Sequence, residues 1–199
     1  MSKTTIPTGG LADAAVTTAK ITDANITTAK IADDAVTAAK STGLGISQAQ
    51  VWRLTSNFTG DATPISSNLE AADTNSPGAI GSAMTQSSGI FTFPSTGIYL
   101  VTAHGEFFYN GDSRYNQLII EVTTNNSSYA EAAKTSAGIA VAESTHTYGN
   151  NSNQVLIDVT DTSNVKVRFT SSVSDDSTST AGASSYNRTH FSFIRLGDT

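Results

Sequence analysis

The sequence contains no cysteine, which excludes disulfides and thiolate metal sites. No apolar run reaches the roughly 18 residues that a membrane-crossing helix needs, so no membrane insertion is expected. Charge is scarce as well: charged residues make up 14% of the chain, against roughly 25% in an average soluble protein. The 11 lysines and arginines are scattered, and 17 acids outweigh them to a net charge of −6. A nucleic-acid surface needs clustered cations, so that class of partner is set aside. The opening "MSKTTIPTGG" lacks the hydrophobic stretch of a signal peptide, and we expect a chain made in a cytoplasm and not exported by the ordinary route.

Enzyme signatures are missing in the same way. "SSGIF" and "STGIY" place Ser near Gly without the Gly-x-Ser-x-Gly elbow. Asp175-Asp176 is not followed by calcium-loop spacing, and a solvated loop is the simpler account. Gly9-Gly10, Gly43 and Gly45 lack the helix and lysine of a phosphate loop and read as turns. Only three histidines exist, His104, His146 and His190, and none has metal-ligand spacing from another. His104 and His190 fall in strand-like segments and read as structural, while His146 sits in a polar stretch. Neither an enzyme nor a cofactor is expected.

What is present divides in two. "LADAAVTTAKITDANITTAKIADDAVTAAK", residues 11–40, repeats every ten residues. Leu11, Ile21 and Ile31 open the decads and Val16, Ile26 and Val36 sit halfway, so the apolar period is five. Five residues of α-helix advance about 500°, which scatters those side chains around the helix. On one straight strand the odd spacing sends them to alternate faces. A chain that bends once per pentad puts them all inside. A pentapeptide-type coil does this, but so short a solenoid is unstable alone. Three chains wound together supply three times the core, and a trimeric shaft is the better reading, with an Ala-rich helix or a linker as the plain alternative.

Beyond the Gly/Ser-punctuated junction at 41–46, short β-type runs alternate with turn residues. Strands are expected at 51–59, on both sides of the Pro94-Ser95-Thr96-Gly97 turn within 89–109, and at 115–124, 153–160, 164–172 and 189–197. Polar loops are expected at 73–82, around Asn150, and at 172–185. That pattern indicates an antiparallel sandwich.

The stretch "GIFTFPSTGIYLVTAHGEF" resembles the globular head of complement subcomponent q and its tumour-necrosis-factor-like relatives, with Phe91, Pro94, Gly97 and Tyr99 in the motif positions. "FSFIRL", Phe191 to Leu196, resembles that family's last strand. The resemblance covers residues 47–199 and implies an all-β, ten-strand jelly roll that trimerises and carries a fibrous stalk on its N-terminal side. The decads occupy the stalk position, and repeats such as "IADDAVTAAK" resemble those of bacteriophage head and tail fibres.

The expected organisation is an anchor at 1–10, a trimeric shaft at 11–40, a hinge at 41–46 and a jelly-roll knob at 47–199. Leu11, Val16, Ile21, Ile26, Ile31 and Val36 would form the shaft core. Phe91, Phe93, Tyr99, Phe107, Phe191 and Phe193 would form the knob core or line the trimer axis. Exposed Tyr rings stack on sugar faces while amides and charges read hydroxyls, so Tyr109, Tyr115, Tyr148 and Arg114 are the candidate ligand contacts, Tyr148 as a loop residue. The expected function is a non-enzymatic fibre of a phage virion, bound to capsid or tail through its N-terminus and exposing a homotrimeric knob to a host-surface glycan. A capsid decoration protein without a receptor role and a secreted complement-q-like module are the alternatives.

Overall fold

The computed structural model describes residues 26–27, 31, 45–142 and 144–199. Of the expected shaft core, Leu11, Val16, Ile21 and Val36 lie outside the described residues, as does the anchor at 1–10. Ile26 and Ile31 are exposed. Residues Gly45–Thr199 form a compact unit of their own.

That unit is built from antiparallel strands, with no helix among the described residues. In chain order these are β1 (Ala49–Leu54), β2 (Phe58–Thr59), β3 (Leu69–Ala71), β4 (Ala79–Ile80), β5 (Thr85–Ser87), β6 (Ile90–Thr92) and β7 (Gly97–Tyr109). They continue with β8 (Ser113–Thr123), β9 (Ala130–Ile139), β10 (Thr147–Val159), β11 (Lys166–Val173), β12 (Ser179–Thr180) and β13 (His190–Gly197). Setting aside the two-residue pieces β2, β4 and β12 leaves ten, the number the resemblance implied.

Two sheets form. The eight-stranded sheet is centred on β7, which pairs β10 along one edge and β13 and then β12 along the other; β13 pairs β1, and β1 pairs β3 and β4. The five-stranded sheet runs β5-β6-β11-β8-β9. Strict alternation along β7 buries Gly97, Tyr99, Val101, Ala103, Gly105 and Phe107 between the sheets and turns the intervening residues outward.

The core between them is aromatic. Phe169 of β11 stacks on Phe191 of β13 with ring centroids 3.8 Å apart. Phe91 meets Trp52, Phe169, Phe191 and Phe193 within 6.2 Å. Phe91, Phe93, Tyr99, Phe107, Phe191 and Phe193 are all at most 1% exposed, so they are filled in by this one chain. The Tyr99 hydroxyl, buried with them, meets Gln48 and lies 3.0 Å from Ser95 Oγ. At the β6–β7 turn Gly97 has φ +139°, and a Cβ there would sit 2.5 Å from the Gly197 carbonyl oxygen. The turn and the chain's last strand therefore close together only around glycine.

The structure departs from the sequence expectations at three places. The strand expected at 51–59 breaks after Leu54, because the Asn57 side chain accepts the Gly182 amide at 2.8 Å and β2 pairs β12. The expected loops at 73–82, around Asn150 and at 172–185 hold β4, the start of β10, and the end of β11 with β12. β9, "AEAAKTSAGI", was outside every expected strand, since alanine, glutamate and lysine favour strands poorly. It forms because β8 offers it a long ladder.

Candidate binding face of the eight-stranded sheet

One face of the eight-stranded sheet packs on the five-stranded sheet, and the other is left open by the described residues. Register assembles it in rows. Leu156, Leu100, Ile194 and Ala49 lie side by side on β10, β7, β13 and β1, with Ile80 of β4 beside Ala49. Leu156 is 62% exposed and Ile80 46%. An open groove of about 210 Å3, lined by Ala49, Val51, Pro77, Ile80 and Ile194, extends this apolar end.

The next rows are polar. Gln154, Thr102, Ser192 and Val51 come first, then Ser152, His104, His190, Arg53 and Glu70. Arg53 is buried at 1% exposure, a charge that needs partners, and finds Glu70 and Asp73 at 2.7 Å each. Farther along, Arg188 grips the Glu106 carboxylate through two nitrogens at 3.0 and 2.6 Å. That grip holds Glu106 below its ordinary pKa and raises that of Arg188. Burial, then the charge of His190, lowers the pKa of His104, against a smaller upward pull from Glu106.

The far end of the face is aromatic. Tyr148 of β10 lies opposite Phe108 of β7, rings 5.5 Å apart, and His146 meets Phe108 edge-on at 5.0 Å. The Arg188 guanidinium sits 5.3 Å from the Tyr148 ring centre. Tyr148 is 51% exposed, with its ring backed by Phe108 and Arg188, a platform of the kind that stacks on flat apolar faces.

The candidate ligand contacts do not converge. Tyr148 stands on a strand, not in a loop as expected, because β10 begins at Thr147 and pairs β7 along its whole length. Tyr109 follows Phe108 and so turns to the opposite side of the sheet, packing on the core, with its hydroxyl donating to Asp175 at 3.2 Å. Tyr115 and Arg114 are exposed on β8, where the backbone NH of Tyr115 donates to Ser174 Oγ at 3.3 Å. The site therefore divides into a Tyr148 platform and a separate Tyr109–Tyr115 edge near 174–175.

The sequence reading missed Leu100, Leu156 and Ile194. The signal was there: "GIYLV" and "VLIDV" carry apolar residues at both parities, the pattern of strands covered on both sides.

The two-sheet arrangement and its strand order define a tumour-necrosis-factor-like jelly roll. Among solved structures, murine APRIL at pH 5.0 matches with a TM-score of 0.50 and 7% identity, over 75% of this chain and 98% of that one. Eiger TNF from S. frugiperda matches with a TM-score of 0.48 and 14% identity, over 76% and 93%. No protein-family model matches the sequence, and no curated protein matches it.

Proposed function

We propose that this chain is a non-enzymatic, homotrimeric fibre protein of a phage virion, in which the apolar end of the knob's open sheet face is covered by further copies of the same chain while its aromatic end stays exposed. The observation that carries the reading is that face's apolar end. Leu156, Leu100, Ile194, Ala49 and Ile80 lie in adjoining positions across five strands, Leu156 and Ile80 exposed and the three between them half-buried. Contiguous apolar surface of this sort is characteristic of association. The decads upstream support the fibre reading, since a shaft with one apolar residue in five needs several chains to make a core. Assembly would take place in the bacterial cytoplasm, with the N-terminal residues joined to capsid or tail.

A host-surface glycan is the ligand class we assign to the knob, with Tyr148 as stacking platform and Tyr115 and Arg114 as the second exposed group. Three copies would multiply a weak affinity through avidity. The test is the native mass of the full chain and of a version starting at Ile46, followed by retention of each on host polysaccharide. Three chain masses with retention are the expected result. A full chain that stays single overturns the fibre reading, and a trimer that ignores the host surface favours decoration without a receptor role.

A further inference from the structure

The two histidines that lie in strands, far apart in the sequence, are neighbours on the open face. His104 on β7 and His190 on β13 are register partners, with ring centroids 5.1 Å apart and planes 33° apart. His190 Nδ1 lies 3.0 Å from the Arg188 carbonyl oxygen. A carbonyl only accepts, so that nitrogen carries the proton and the lone pair resides on Nε2. An imidazole held in this way, with its other nitrogen tied to the backbone, is oriented and tautomerically set for ligation.

The surrounding charges are compatible with a cation. Arg53, next in the row, is occupied by Glu70 and Asp73, and Arg188 is occupied by Glu106. Ser152, the neighbour on the β10 side, is neutral and donates to the Ala103 carbonyl at 3.2 Å. One cation and two carboxylates on one flank, and one of each on the other, leave a small negative excess around the pair.

We propose that His104 and His190 form a chelating pair for a divalent transition-metal ion such as Zn2+ or Ni2+ on the open face of the eight-stranded sheet. Two imidazole nitrogens bound about 2.0 Å from one tetrahedral ion place their ring centroids about 5 Å apart, which matches the observed separation. With His190 held by the Arg188 carbonyl, rotation of His104 about χ2, a soft torsion for this side chain, turns its nitrogen edge toward the shared ion. Holding the two ligands on hydrogen-bonded strands removes most of the ordering cost of chelation. No third His, Cys, Asp or Glu joins them among the described residues, so water or a donor from another copy completes the shell.

The experiment uses the full chain without a histidine tag, stripped with chelator and titrated with ZnCl2 and NiCl2 by calorimetry. We expect one saturable site, with at most one ion per chain. His104→Ala and His190→Ala should each weaken it at least tenfold, while His146→Ala leaves it unchanged. His104→Gln, which keeps a polar side chain of similar reach, separates loss of the ligand from loss of the fold, provided its thermal midpoint in chelator equals that of the parent. Absence of a saturable site, survival of binding in the His104→Ala/His190→Ala double variant, or equal loss in His146→Ala would overturn the assignment.

Discussion

The outward faces of the two sheets differ in kind. On the five-stranded sheet, polar side chains satisfy one another across the strands. Arg168 of β11 clamps Glu121 of β8 at 2.9 and 3.2 Å, Thr170 donates to the same carboxylate at 2.6 Å, and the Tyr129 ring lies 4.3 Å from that guanidinium. Gln117 reaches Ser136 at 3.1 Å, and Lys134 reaches Glu131 at 2.7 Å. On the eight-stranded sheet the polar rows pair in the same way, but one end of the face holds Leu100, Leu156 and Ile194 side by side. A face whose polar groups pair internally needs only water beyond it, whereas adjoining leucines and isoleucines gain free energy when another surface covers them. The asymmetry is the reason the eight-stranded sheet is the one proposed to meet further copies of the chain.

The comparison breaks most completely if that apolar end is charged. Leu100→Lys combined with Leu156→Lys should convert the trimer to single chains by native mass, whereas Ser136→Lys and Ser172→Lys on the other sheet should leave the mass unchanged. A trimer that survives the leucine changes would place the contact elsewhere. The sheets share one core, so Phe169→Ala should cost about 3–5 kcal/mol of stability, read as a lower urea midpoint at fixed protein concentration. A loss below about 1 kcal/mol would mean that the stacked Phe169–Phe191 pair contributes no more than an average site.

The finest test concerns the polar face. Burial pulls the Glu121 pKa up, but hydrogen bonds from Arg168 and Thr170, with the charge of Arg168, more than offset this and leave it below the ordinary 4.5. A depressed carboxylate contributes stability that is present above the unfolded value and lost as pH falls through the folded one. Glu121→Gln should therefore be less stable than the parent at pH 6, and the gap should narrow as the pH is taken down toward 3. A gap that stays constant with pH would show that the carboxylate's charge is not what stabilises the face.

Much of the sandwich was legible. The Phe91–Pro94–Gly97–Tyr99 spacing announced a turn followed by a long strand, both of which form. β9 was illegible because its residues carry no strand preference of their own, and only the edge of β8 recruits it. Tyr148 looked like a loop residue because "HTYGNNSN" is polar and rich in asparagine. It lies in a strand whose odd positions face inward, where the Asn151 and Asn153 amides donate to the backbone carbonyls of Asn116 and Leu118, each at 2.7 Å. β8 accepts those amide protons, while the Oδ1 atoms of both asparagines are buried without a partner.

What the sequence by itself determined is the class: an all-β sandwich with an aromatic interior, because side-chain alternation and turn chemistry are local and are written in adjacent residues. Which residues share a row was decided by the tertiary structure alone. His104 meets His190, Leu100 meets Leu156 and Ile194, and Tyr148 parts from Tyr109, because strand order and register are set by the closing of distant segments on one another. The period of two shows that alternate residues turn to opposite faces. It does not show which strand will lie alongside, and the open face is made of those neighbours.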